Sequence, residues 1–215
     1  MNLAAVVMLF VGCDGPPSML TRTIWDGATL EIGAVFGQNG GTHDAKVYEL
    51  DGSSHVIATI DGMQQELPRS ATRTGLAPLM APLYVVDLDR SAPPTTVVVS
   101  VTNDDDLSPS AMTLPSGFTI DPIGSSVSRG APLQVTMTPD TGTGSQYSDI
   151  SWSITGECLS QAFGNYIQTL SDIAELDGVG TCDVTLEFTA SNNTSSGNNN
   201  SFGDQRRSVT FTSTP

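Results

Sequence analysis

The chain is poor in positive charge. Eight Lys and Arg residues stand against 23 Asp and Glu, a formal net charge of −15, and Lys46 is the one lysine. Such a field repels phosphate backbones and anionic headgroups, so nucleic acid is not an expected partner. Histidine is nearly missing: His43 and His55 are the two. His43 lies in the loop-like Gly40-Gly41-Thr42-His43-Asp44, and no G-x-S-x-G accompanies it. Ser/His/Asp catalysis needs a base beside a nucleophile, and nothing in the sequence pairs them. The expectation is therefore no enzyme. Cysteine is limited to three, without C-x-x-C spacing or a nearby His, which argues against zinc. No apolar run reaches the roughly 20 residues that span a bilayer. What is present is 38% hydrophobic residues and a mean hydropathy of −0.03, enough for a packed core. The composition is not that of a disordered chain.

Residues 1–12 (MNLAAVVMLFVG) are apolar and short, and Cys13 follows them, ahead of Asp14-Gly15-Pro16-Pro17-Ser18. The run has the length of a signal h-region. Phe10-Val11-Gly12-Cys13 resembles the lipobox of bacterial lipoproteins. The departures are Phe10 where Leu is usual and an n-region without Lys or Arg. The resemblance implies cleavage before Cys13 and acylation of its thiol. The mature protein would then be lipid-anchored in the cell envelope, at either membrane or at the cell surface, because acyl chains add about 0.8 kcal/mol per buried methylene. With Cys13 taken by lipid, Cys158 and Cys182 remain. In an oxidising compartment an even remainder is expected to form a disulfide. A free reactive thiol is the alternative, with no adjacent base.

The rest reads as all-β. Residues 29–36 (TLEIGAVF) place Leu30, Ile32, Ala34 and Phe36 on one face at period two. Residues 46–50 and 55–60 flank Asp51-Gly52-Ser53-Ser54 and predict a hairpin. Residues 83–88 and 95–102 predict two further strands, with Val97, Val99 and Val101 inward. The segment 68–82 reads as loop. In the second half, strands are predicted over 118–120, 133–138, 150–155, 182–190 and 207–212, joined before the last by a polar loop, 191–203. Phe163, Ile167, Leu170 and Ala174 satisfy a helical spacing, against which Gly164 weighs. The expected organisation is a signal (1–12), a lipidated tether (13–19), a β-sandwich (20–104), an acidic, Pro-containing linker (105–116) and a second β-sandwich (117–215).

The second half resembles immunoglobulin-like or fibronectin-III-like sandwiches. More narrowly, it is similar to a module of uncharacterised lipoproteins of Gram-negative bacteria, myxobacteria included. The residues are Phe118-Thr119-Ile120, Val127-Ser128-Arg129-Gly130, Pro132 to Thr136, Ile154 to Cys158, Cys182 to Leu186 and Arg207 to Phe211. The resemblance implies an extracytoplasmic sandwich with a Cys158–Cys182 bridge and assigns no activity. It departs from true immunoglobulin domains because Cys158 closes the strand that carries Trp152, so the bridge would staple a sheet edge or a loop. Trp152 is expected in the core.

Two ligand classes merit naming. Asp104-Asp105-Asp106, with Asp87 and Asp89, offers hard oxygen ligands for calcium, although no D-x-D-x-D-G loop with a closing Glu is present. Trp25 and Tyr147 are aromatic candidates for sugar stacking. The sequence thus points to an anchored, non-catalytic binding or structural protein, with an envelope protein or a glycan as partner. A carbohydrate-binding or adhesin-type module, or an accessory subunit of an envelope enzyme complex, is the alternative.

Overall fold

The computed structural model describes residues 17–38, 46–47, 50–70, 83–141, 146–167, 169–196 and 199–215. These residues form strands and no α-helix. The chain divides into two compact units. The first holds residues 28–114 and the earlier chain to Ile24, together with Asn193–Gly203; the second holds Trp25–Gly27, Pro115–Asn192 and Asp204–Pro215.

The first unit begins with β1 (Pro17–Trp25), β2 (Thr29–Gln38) and β3 (Lys46–Val47). It continues with β4 (Val56–Ile60), β5 (Met63–Glu66), β6 (Arg69–Ser70), β7 (Leu83–Asp89), β8 (Val97–Val101) and β9 (Ser110–Met112). Leu30, Ile32, Ala34 and Phe36 of β2 are all buried, as the period-two pattern requires. Val56, Ala58 and Ile60 of β4 and Val97 and Val99 of β8 are buried too, while Val101 is only half-buried. One sheet has the order β5-β4-β8-β9.

Several expectations for this half are corrected. The expected tether reaches residue 19, yet Pro17, Ser18 and Met19 are buried at the start of β1. Among the described residues the expected hairpin between 46–50 and 55–60 is not seen. β3 pairs with β2, and β4 pairs with β5 and β8. The turn that organises β4 is Asp61-Gly62, with φ of 48° and 86°. Positive φ at both central residues is the hairpin geometry whose twist matches the flanking strands. Asp61 holds that unusual backbone by accepting hydrogen bonds from the Thr95 and Thr96 amides at 2.8 and 3.2 Å and from Arg90 Nη2 at 2.8 Å. The expected linker 105–116 also contains structure. Leu107, Ser110, Met112 and Leu114 are buried, and β9 pairs with β8.

The second unit contains β10 (Phe118–Ile120), β11 (Ser126–Ser128), β12 (Leu133–Pro139), β13 (Asp149–Gly156), β14 (Phe163–Ile167) and β15 (Ser171–Ala174). Most of β16 (Cys182–Ser196) and β17 (Asn199–Thr214) completes it. One sheet runs β10-β12-β15 and the other β14-β13-β16-β17, with β11 parallel to β17. Inward side chains of both sheets make one apolar cluster. It joins Phe118, Val135, Met137 and Ala174 to Ile150, Trp152, Ile154, Leu186, Phe188 and Phe211. The helical spacing at 163–174 is overturned: β14 pairs with β13 and β15 with β12. The polar segment 191–203 is largely strand, because the ends of β16 and β17 supply residues 193–203 to the first unit. Within that unit the Asn199 side chain accepts from the Met19 amide at 2.9 Å and donates to the Ser108 carbonyl at 2.8 Å. Thr21 and Ser110 hydroxyls meet at 3.1 Å, and Ser110 also bonds Ser201. Buried polar groups need such partners, so a polar tail finds a place in a protein interior.

Candidate functional site

The outer face of the β14-β13-β16-β17 sheet carries an array of outward polar groups. Its inward residues are committed to the core: Ile150, Trp152 and Ile154 on β13, and Val184, Leu186, Phe188 and Ala190 on β16. Alternation therefore turns Ser151, Ser153 and Thr155 outward on β13 and Thr185, Glu187 and Thr189 outward on β16. The register aligns them in rows. Tyr166, Ser151 and Thr189 form one row, Gly164, Ser153 and Glu187 the next, and Thr155 and Thr185 a third. The third row extends onto β17, where Thr185 and Thr210 hydroxyls lie 3.4 Å apart. Beyond it Thr212 donates to Asp183 at 3.0 Å.

Tyr166 is the aromatic of this face and is 77% exposed. Its neighbour in the adjoining row is Gly164, which has no side chain to block the ring. The face thus offers an apolar ring, hydroxyls that both donate and accept, and the Glu187 carboxylate as acceptor. Members of a row lie about 4.8 Å apart from strand to strand, and successive rows lie about 6.7 Å apart along the strands. That spacing suits a flat, hydroxyl-rich ligand, whose C–H face can lie on the ring while its hydroxyls meet the rows.

A hydrogen-bonded cluster fixes β14, and hence Tyr166, at the margin of the sheet. Asp172 on β15 accepts from Trp152 Nε1 at 3.0 Å and from Asn165 Nδ2 at 3.0 Å through one oxygen. Its other oxygen accepts from the Ile173 amide at 2.8 Å. Trp152 and Asn165 are cross-strand partners on β13 and β14. The Asn165 amide, the Ile173 backbone N–H and the Trp152 indole together hold the Asp172 carboxyl below the usual carboxylate range, against a smaller upward push from burial. Trp152 is core, as expected, and it also has a polar handle.

Other sequence-derived candidates fall elsewhere. Cys13, His43 and Asp44 lie outside the described residues. His55 is exposed and its Nδ1 lies 2.8 Å from Glu66 Oε1. Asp104 accepts from the Asp106 amide at 3.2 Å, and Asp105 and Asp106 are exposed. Among the described residues no group of three or more His, Cys, Asp or Glu side chains is arranged to hold a metal ion. The two aromatic candidates Trp25 and Tyr147 are buried, at 1% and 8% exposure, and the Tyr147 hydroxyl donates to the Gly117 carbonyl at 3.2 Å. Tyr166 was missed because residues 163–174 fitted a helical repeat. Read at period two, Phe163, Asn165 and Ile167 share one side of the strand and Tyr166 takes the other.

Cys158 and Cys182 are disulfide-bonded, with Cα atoms 5.6 Å apart. The bridge lies two positions beyond Gly156↔Val184 in the same β13–β16 register, so it ties neighbouring strands of one sheet. The position of Cys158 leaves a sheet edge or a loop open; the bridge instead joins the ends of two neighbouring interior strands, with β14 outside β13 and β17 outside β16. No protein-family model matches the chain, and a search of curated proteins finds no match to it.

Proposed function

We propose that this protein is a lipid-anchored, non-catalytic binding protein of the bacterial envelope, and that it takes a neutral glycan on the outer face of its second unit. Tyr166 carries the reading: it is a large aromatic left 77% exposed among ordered rows of hydroxyls. Isolated exposed apolar residues are ordinary, so the surrounding rows are what lend this one meaning. The strand order of the second unit supports an immunoglobulin-like sandwich. Its three-stranded sheet matches the A-B-E arrangement and its larger sheet the C′-C-F-G arrangement, with β11 running along β17 as an A′ strand does. The tether of the proposal is acylated Cys13.

The test is binding of the purified chain to immobilised neutral polysaccharides and to envelope glycans. Wild type is expected to bind one class, and Tyr166→Ala to weaken that binding about tenfold, as loss of one stacked ring implies. Tyr166→Phe should keep it, and Glu187→Gln should weaken it. Equal binding by wild type and Tyr166→Ala, or none by wild type, would overturn the glycan reading. For the anchor, intact mass from a native envelope should show an acylated chain starting at Cys13, and Cys13→Ser should release the protein from the detergent phase.

A further inference from the structure

We propose that Cys158–Cys182 is an exchangeable disulfide, a site that reacts with low-molecular-weight thiols, in which Arg129 stabilises Cys158 as the thiolate. Arg129 Nη1 lies 3.5 Å from Cys158 Sγ. The guanidinium is held there from two further sides, donating to Ser213 Oγ at 2.9 Å and to the Gly180 carbonyl. A fixed cation beside a sulfur lowers the pKa of its thiol and makes it the better leaving group. Cys182 Sγ receives a weaker donor, the Cys158 backbone N–H at 3.0 Å. The acids nearest in the chain and across the Leu159↔Gly178 bridge face solvent: Glu157 and Asp177 are exposed, Asp177 accepting from Ser160, and Asp183 accepts from Thr212 on the outer face.

Position makes exchange compatible with the fold. Both cysteines are half-buried, so a small thiol can reach them. The bridge extends a β13–β16 ladder that already runs from Asp149↔Ser191 to Gly156↔Val184, and both cysteines pack only at the margin of the apolar cluster, whose buried members are held by that ladder. A bridge across the core would behave differently, because opening it would free the two sheets.

The chemistry balances with a thiol as reductant. An external thiolate attacks Cys182 Sγ, the Cys158–Cys182 bond breaks, and Cys158 leaves as a thiolate paired with Arg129. A second external thiolate attacks the outer sulfur of the mixed disulfide and releases Cys182 as a thiolate, which takes a proton from solvent. Two thiols are oxidised to one disulfide, and the protein pair is reduced.

The test uses the full chain in glutathione redox buffers, with acid quench, alkylation and mass analysis. The reduced chain is expected to keep its near-ultraviolet circular dichroism. Its Cys158 should react with iodoacetamide at neutral pH faster than Cys182. Arg129→Met should slow Cys158 alkylation about tenfold, the effect of one pKa unit on a mostly protonated thiol. Arg129→Lys, which keeps the cation, should retain most of the rate. Equal alkylation rates at the two cysteines in wild type, or collapse of the near-ultraviolet signal on reduction, would overturn the proposal even if Arg129→Met fails to fold.

Discussion

Asp172→Ala tests whether the Trp152–Asn165–Asp172 cluster holds the margin of the second sandwich. The substitution removes the acceptor for three donors. Asn165 is exposed and can turn to water. Trp152 is 6% exposed, and its indole N–H would be left buried without a partner. Hydrogen bonds to a charged acceptor contribute about 1.5–3 kcal/mol, and an unsatisfied buried donor costs about 1–3 kcal/mol. Solvent access to Asp172 reduces the first figure, so a net loss of about 2–3 kcal/mol is expected, seen as a lower denaturation midpoint for the second unit. Trp152→Phe removes the donor instead, and a double-mutant cycle with Asp172→Ala should show a coupling of about 1 kcal/mol or more. The carboxyl is depressed from its usual 3.8 in the folded chain. Its contribution is therefore full above that value and is lost as pH falls through the folded pKa. Wild type should lose stability in that acidic window, and Asp172→Asn, which keeps one neutral acceptor oxygen and does not titrate, should lose less. Calorimetry or urea titration at several pH values reads both effects. A change below about 0.5 kcal/mol with no coupling to Trp152→Phe would refute the reasoning.

Phe188→Ala empties a site that is 0% exposed between the two sheets of the second unit, and should cost about 3–5 kcal/mol in urea titration. Gly62→Ala places a side chain at φ of 86° where no atom lies within 4 Å, so the cost is conformational alone, about 1–2 kcal/mol, measurable as a fall in Tm. Gly52→Ala, in an equally open site without positive φ, should leave Tm unchanged or slightly raised. Gly178→Ala would set a Cβ 2.0 Å from the Cys158 carbonyl oxygen, and should break the Leu159↔Gly178 bridge and lower Tm.

Legibility in the sequence followed the cost of error. Where one face of a strand had to be apolar, as with Leu30, Ile32, Ala34 and Phe36 on β2, period two appears in the letters and those side chains are buried. β1 escaped because its inward residues include Thr21 and Thr23, whose hydroxyls bond Ser110 and the Met112 sulfur. A polar residue satisfied from a distant strand looks like a surface residue. β9 and the ends of β16 and β17 escaped for the same reason, with Asn199, Ser201 and Ser110 buried. Asp61-Gly62 and Asp51-Gly52 are both legible as turns, and among the described residues it is Asp61-Gly62 that joins paired strands.

Residue type and local alternation point to an all-β chain and to the inward face of β2, while cysteine count together with the lipobox resemblance points to the Cys158–Cys182 pair. A two-residue repeat is a local property, and a slip of one residue would expose a whole apolar face. Only the tertiary structure decided which strands pair, that Trp25 and Tyr147 are buried while Tyr166 faces water, and that Arg129 lies against Cys158. Those outcomes depend on partners far along the chain, whose hydrogen bonds and packing no local window contains.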